Sequence, residues 1–200
     1  MIFYTSEMRF RIDAARVLSR LGRPGAGGES AHPDGLARRI AEVLEAAEPK
    51  LARLRLPVSE APGGLVSLGG WIPSSADLAS RLGGCLSCTA FMLTLGPAVD
   101  SLLEEAARQP SRQVVLDAAA SEAAEDCARW VQRIERSEAS MAGMKALPRF
   151  SPGFGDFSLD NQEFFVESLP GLGVTLTPGR LLIPRKTVTG VIGWKQCSTG

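Results

Sequence analysis

Residues 112–135 read as one long helix, opened by Pro110-Ser111 and carrying Val115, Ala118, Ala119, Cys127, Val131 and Ile134 on its apolar side. Proline suits the first helical position, where its missing N–H costs nothing. So many positions of the helix are alanine that its axis can lie close against a sheet, because the side chains at the contact set the packing distance. The natural sheet partner is Thr89-Ala90-Phe91-Met92-Leu93-Thr94-Leu95, a nearly unbroken apolar run that fits a strand covered on both faces.

The other elements sort around this pair. Asp13 can cap a short helix over 12–21 that Gly22 stops. Leu36, Ile40, Val43, Leu44 and Ala47 recur at helical spacing up to Pro49. The Gly/Pro/Ser-rich residues 22–35 between them read as a mobile loop. Leu54, Leu56 and Val58 alternate with Arg55 and Pro57, which predicts an edge strand, since proline cannot donate to a ladder. Leu65–Leu68 reads as another strand. Ser75 can cap a helix running to Leu82 that Gly83-Gly84 ends, and Gly96-Pro97 opens a helix with Val99, Leu102, Leu103 and Ala106 on its core face. The apolar pattern of 159–169 is helical. Short strands are expected at 146–150, 173–177, 180–183 and 187–194, with Pro178-Gly179 as a hairpin turn. Helices early and strands late argue for an α+β fold, not a doubly wound one.

Composition removes several classes of function. Lys plus Arg and Asp plus Glu number 22 each, so no net basic field attracts nucleic acid or anionic lipid. No apolar run reaches membrane-spanning length, and Met1–Glu7 lacks the charged-then-apolar order of a secretory leader. With four cysteines (Cys85, Cys88, Cys127, Cys197) a disulfide scaffold is not expected, and a cytoplasmic location is. The lone histidine, His32, argues against histidine-based triads and two-histidine zinc sites.

Several short motifs carry little. Gly22–Ser30 looks phosphate-cradling, but Gly28-Glu29 stands where a P-loop needs Gly-Lys. Cys85-Leu86-Ser87-Cys88 has C-x-x-C spacing but no second pair to complete a zinc site, and it leads into a strand rather than a helix. Ser30-Ala31-His32-Pro33-Asp34-Gly35 holds the His-x-x-Gly of a corrinoid-binding signature, with serine in place of the aspartate that should polarise the histidine. Asp117, Glu122, Glu125 and Asp126 lie on the long helix, where most such charges form a solvated face. Asp117, Ser121 and Glu125 share one side of it, and a carboxylate turned inward near Arg149 would stand out from that pattern.

Arg149-Phe150-Ser151-Pro152-Gly153-Phe154-Gly155-Asp156 is the segment with ligand-friendly chemistry. It gathers a fixed cation, a proline, two glycines, an aromatic ring and a carboxylate. Arginine grips carboxylates through paired hydrogen bonds, and glycine lets main chain approach a ligand. The plainer alternative is a strand ending in a Pro-Gly turn before a helix.

Three stretches together resemble the activation domain of cobalamin-dependent methionine synthase, in particular its stand-alone bacterial relatives. Thr94-Leu95-Gly96-Pro97-Ala98-Val99-Asp100 is similar to the family's T-L-G-x-x-V-D. Val115–Glu125 is similar to its Asp-and-Ala helix. Arg149–Asp156, continuing through Gly173–Thr177 and Ile183–Gly190, is similar to its R-x-x-P-G-Y, G-x-x-L-T-E and P-x-x-S-V-S-G segments. The order holds over about residues 85–194. The resemblance implies a twisted, mainly antiparallel sheet flanked by helices. Residues 1–60 would form an N-terminal helical segment packed on a core of 61–200, together one domain.

The function implied is that of an S-adenosylmethionine-binding accessory protein in methionine biosynthesis. It would take part in reductive remethylation of a corrinoid on a partner methionine synthase or other corrinoid methyltransferase. The cobalamin would be carried by that partner, and an electron donor such as a flavodoxin or ferredoxin would serve it. By the resemblance, Arg149 holds the ligand's carboxylate, Pro152 and Gly153 shape the backbone beside the adenosyl part, and Phe154 offers a ring to adenine or the sulfonium. Asp117 balances the ligand's positive charge, and no residue is expected to be catalytic or to bind metal. The chain departs from the family at Phe154, usually tyrosine, and at Gly193-Trp194-Lys195-Gln196-Cys197, where the family has paired tyrosines. The preceding Asp-Trp segment has no counterpart here, and Cys197–Gly200 reads as the stub of a cysteine-rich tail. A non-catalytic module of the same fold, or a cysteine-based metal or redox protein, stand as alternatives.

Overall fold

The computed structural model describes residues 1–22 and 33–197. In chain order the elements are β1 (Ile2–Thr5), α1 (Ala14–Leu21), α2 (Pro33–Ala46), β2 (Lys50–Ala61), β3 (Leu65–Leu68), α3 (Ala76–Leu82), β4 (Cys85–Thr94), α4 (Pro97–Glu105), α5 (Pro110–Met141), β5 (Met144–Ala146), α6 (Gln162–Ser168), β6 (Thr175–Leu176), β7 (Leu182–Ile183) and β8 (Thr187–Gln196). The main sheet runs β1-β2-β4-β8-β5, with β3 paired to the far part of β2, and every pairing is antiparallel. It is a curled antiparallel sheet flanked by helices. The glycine-rich loop and the motif around His32 fall for the most part outside the described residues.

The apolar run 89–95 lies within and just beyond β4, the middle strand, and its residues are buried on both faces as the pattern requires. One face packs on α5, α1, α2 and α4 through Phe91, Leu93, Val115, Ala119 and Val131. The other holds Met92, Leu78, Phe157 and Phe165, contributed in part by α3 and α6. Alanines at 119, 120, 123 and 128 are fully buried, which is how a helix this long seats against the strands. It runs six residues past the expected end at 135, because Glu135 and Glu138 in its last turns bind Arg53 of β2.

Two expectations change. The Leu54–Val58 strand is internal, with β4 on one side and β1 then β3 on the other. Pro57 is tolerated because it sits where the partner changes from β1 to β3. Its carbonyl accepts from Gly69 N–H on the β3 side (3.0 Å), so the missing donor faces away from the ladder with β4. The strand expected at 146–150 is split: β5 ends at Ala146, Leu147 N–H still reaches the Gly193 carbonyl (2.8 Å), and Phe150 forms an isolated bridge with Val191. The pair β6–β7 forms its own two-stranded sheet. Pro178-Gly179 turns it as expected, with Arg180 N–H donating to the Thr177 carbonyl (2.9 Å) and Arg180 itself left-handed.

The charges of α5 do not all form a solvated face. Glu122 is buried and takes Arg20 and Arg129; Asp126 is buried and accepts the backbone N–H of Arg11 (2.9 Å). These two carboxylates fasten the N-terminal segment to the helix. Asp13 caps α1 as expected, accepting from Ala15 N–H (2.9 Å).

Candidate functional site

The turn after β5 is fastened to β8 from Phe150 onward. Phe150 and Val191 exchange backbone hydrogen bonds (2.9 and 2.8 Å), and Ser151 Oγ donates to the Thr189 carbonyl (2.6 Å). The chain then reverses tightly, with Gly153 N–H donating to the Phe157 carbonyl (2.7 Å) at a left-handed φ of 94°. Pro152 is buried at the base of the reversal, Gly153 is exposed, and the Phe154 ring is 65% exposed. Phe150, which leads into the turn, stacks on Phe157 (5.7 Å), and Trp71 stacks on Phe164 (3.7 Å).

Asp156 ends the turn in a structural role. Its carboxylate accepts from Ser75 Oγ and from the N–H groups of Ala76 (2.7 Å) and Asp77 (3.2 Å), while its own N–H donates to Asp77 (3.3 Å). This ties the turn to the first turn of α3, with Asp156 as a second cap beside Ser75. The Ser75 hydroxyl first, and then those two N–H groups, hold the Asp156 carboxyl below its ordinary range against an opposing effect of burial. A carboxyl depressed in the folded state stabilises above its unfolded pKa, about 4, and ceases to as pH falls through the folded value. Asp156→Asn is therefore expected to melt at lower temperature than the parent at neutral pH. The gap between the two proteins should narrow as pH falls below the ordinary carboxylate range, as thermal melts across acid pH would show.

Helix α5 forms the other wall. Gln132 binds the segment through both ends of its amide: Nε2 donates to the Leu147 carbonyl (2.9 Å), and Oε1 accepts from Arg149 N–H (2.7 Å). Two turns earlier, Glu125 takes the guanidinium of Arg149, with Nη2 donating to both carboxylate oxygens (2.6 Å to Oε2). Arg149 Nη1 is buried and has no hydrogen-bond partner among the described residues. The carboxylate of α5 that meets Arg149 is thus Glu125, which stays partly exposed.

The third wall is the segment entering β8. Leu95 N–H donates to the Lys186 carbonyl (3.0 Å), Arg185 N–H to Asp100 Oδ2 (2.8 Å), and Thr187 Oγ1 to Thr94 Oγ1 (2.9 Å). The Thr94–Asp100 stretch therefore positions residues 185–187. Gly96 is needed there: its φ is 86°, and a Cβ would lie 3.3 Å from the Glu48 carbonyl oxygen. So held, Lys186 Nζ donates to Asp117 Oδ1 (2.8 Å) and Ser121 Oγ (2.9 Å). Asp117, Ser121 and Glu125 follow one another on a single face of α5, spanning about 12 Å at 1.5 Å per residue. Along it lie, in order, Lys186–Asp117, Ser121 and Arg149–Glu125.

The structure thus gathers Arg149, Pro152, Gly153 and Phe154 on one turn. Asp117 lies on the same helix face, bound to Lys186, and no hydrogen bond joins it to the turn. Asp117 and Ser121 also border a cleft of about 540 Å³, lined by Leu103, Gln113 and Arg185 among others, that includes none of residues 149–154. Sequence reasoning did not single out Lys186 or Gln132. Lys186 falls within the 183–190 segment of the resemblance, which assigns it no role, and no local signal marks Gln132.

The cysteines form a separate story. Cys85, Cys88 and Cys127 are buried free thiols and Cys197 is exposed. Burial, with smaller effects of nearby charge, pushes the thiols of Cys88 and Cys127 up to about 12, the reverse of a reactive thiolate. Among the described residues no group of three or more His, Cys, Asp or Glu side chains could hold a metal ion, and no helix is long and apolar enough to cross a membrane.

No family model and no curated protein matches the sequence. Among solved structures, the chain is similar to the MetH reactivation domain bound to AdoHcy, with a TM-score of 0.65 and 14% identity. The likeness covers 100% of this chain and 80% of that one. At this identity the shared property is the fold, a curled antiparallel sheet flanked by helices.

Proposed function

We propose that the protein binds S-adenosylmethionine, and its demethylated product AdoHcy, between the 149–154 turn and α5. The reading rests on Arg149 Nη1, a buried guanidinium nitrogen without a partner at the base of a Pro-Gly turn. A buried donor left unmade costs free energy that a ligand oxygen would recover. The fold around it is shared with a domain solved with AdoHcy bound. Arg149 takes the ligand's carboxylate through Nη1, while Glu125 orients the guanidinium from the other side and offers a carboxylate to the ligand's ammonium. Pro152 and Gly153 set the backbone that meets the adenosyl part. The exposed Phe154 ring supplies a face for adenine or the sulfonium, and Asp117 sits further along the helix as a counter-charge.

In this reading the protein is an accessory component in reductive remethylation of a corrinoid carried by a partner methionine synthase or other corrinoid methyltransferase. Bound S-adenosylmethionine supplies the methyl group, and a donor such as a flavodoxin or ferredoxin supplies the electron. The chain's own residues bind and orient; no proton moves, so none is assigned as acid or base. A second reading, a non-catalytic module of the same fold, draws on two observations. Glu125 already occupies half of the Arg149 guanidinium, and Phe154 lacks a hydroxyl.

Calorimetric titration separates them. S-adenosylmethionine and AdoHcy should both give saturable heat, and Arg149→Ala should weaken binding by at least about tenfold, the value of one charge-assisted hydrogen bond. Absence of heat up to millimolar ligand would leave the interaction-module reading standing.

A further inference from the structure

We infer that the cleft between the N-terminal segment and α5 is a binding site for a small polyanion of the pyrophosphate class, separate from the Arg149 site. The cleft has a volume of about 450 Å³, within the range of small-molecule sites. Arg9, Arg11, Arg16, Arg129 and Arg133 line it, with the half-buried ring of Phe10 and two carboxylates, Asp13 and Asp126. Both carboxylates are already engaged. Asp126 accepts from the Arg11 backbone N–H (2.9 Å) and from Arg129 Nε (3.2 Å), and Asp13 caps α1 through Ala15 N–H (2.9 Å). Arg16 pairs with Asp13 and Glu122, and Arg129 with Glu122 and Asp126, whereas Arg9, Arg11 and Arg133 form no ion pair among the described residues.

Three unpaired guanidiniums around one concavity make a local surplus of positive charge in a chain whose net charge is zero. A single anionic oxygen would leave most of that surplus unmatched; a ligand with two or more charged groups would not. The cation is arginine at every position, and its planar fork matches phosphate oxygens in pairs where lysine acts as a point charge. The cleft is concave and local rather than a basic stripe, which favours a small ligand over nucleic acid or a flat acidic protein surface. Asp126, Arg129 and Arg133 lie on a face of α5 rotated by roughly 110° from Asp117, Ser121 and Glu125, at 100° per residue. The two sites can therefore fill independently.

Titration of the full chain at low salt with inorganic pyrophosphate, orthophosphate and a hexaglutamate peptide tests this. Pyrophosphate should bind saturably and more tightly than orthophosphate, and added sodium chloride should weaken it. Arg9→Ala/Arg133→Ala should weaken it by about tenfold for each arginine removed and leave S-adenosylmethionine titration as in the parent. Both side chains are exposed, so the parent's melting temperature is expected to be kept. Should that variant fail to fold, Arg9→Lys/Arg133→Lys keeps the charge, loses the forks and should bind with intermediate affinity. The proposal is overturned by no saturable heat with pyrophosphate, by equal affinity in parent and variants, or by hexaglutamate binding more tightly than pyrophosphate. The last result would assign the cleft to an acidic protein partner.

Discussion

Glu135→Ala is expected to destabilise the fold by about 3–5 kcal/mol, the usual loss when one member of a buried ionic group is removed. Glu135 is fully buried on α5 and holds four partners. Arg53 Nη1 (2.7 Å) and Arg55 Nη2 (3.2 Å) reach it from β2, Thr89 Oγ1 from β4, and Trp194 Nε1 (2.9 Å) from β8. One carboxylate thus ties the helix to three adjacent strands. Deleting it leaves Thr89 Oγ1 and Trp194 Nε1 without an acceptor and leaves Arg53 and Arg55 with Glu138 as their remaining carboxylate, so the penalty combines two unmade buried hydrogen bonds with the lost attraction. Arg55 also lies over the Trp194 ring at 3.2 Å and keeps that contact, which limits the loss. Glu135→Gln retains the shape and some of the acceptor capacity and should lose less. Urea denaturation of the three proteins measures this. If alanine and parent unfold at the same midpoint, the network is decoration and α5 is held by its alanine seam alone.

The frame of the fold was legible because it rests on local rules. Asp13, Ser75, Gly22 and Gly83 bracket helices whose apolar spacing is regular, and the run 89–95 announces a strand with no wet face. The expectation that failed for Pro57 failed for a reason that no single-strand pattern contains. Whether proline is tolerated depends on which neighbour its nitrogen faces, and that is decided by the strands on either side. The site was half legible. Residues 149–154 are contiguous, so their chemistry could be read together. Their partners on α5 come from 17 to 24 residues earlier in the chain and from opposite ends of polar side chains. Gln132 in particular looks like any helix-surface glutamine until both ends of its amide are seen to clamp residues 147–149. The buried charges Glu122 and Glu135 were invisible in the same way: their burial depends on arginines from distant elements, here α1 and β2, while Asp126 needs the Arg11 backbone N–H from before α1.

Gly190→Val is expected to do the largest damage to the site itself. Gly190 sits on β8 opposite Phe91, where the 149–151 segment crosses. A Cβ there would lie 2.9 Å from Ser151 Oγ, 3.0 Å from Phe91 Cε1 and 3.2 Å from the Phe150 carbonyl oxygen. Its φ is not left-handed, so the cost is one of space alone. Gly190→Ala should then cost about 1–3 kcal/mol as overpacking, and valine, with two more methyl groups directed at the same atoms, should cost more. The Phe150 backbone is fixed to Val191 by two hydrogen bonds and Phe91 lies in the close-packed core, so neither neighbour yields easily. The segment that gives is the one with least behind it, Ser151 and the turn beyond, whose hold on β8 includes the hydrogen bond to the Thr189 carbonyl. Moving it by about 1 Å carries Pro152, Gly153 and Phe154 away from Arg149, a displacement sufficient to cost on the order of a hundredfold in a positioned site. Ser151→Ala removes the hydrogen bond without adding bulk and serves as the comparison. A lowered melting temperature together with lost S-adenosylmethionine heat in Gly190→Val, against a mild effect of Ser151→Ala, is the expected pattern. Full ligand affinity in a destabilised Gly190→Val protein would place the ligand away from the 149–154 turn, whatever else Arg149 does.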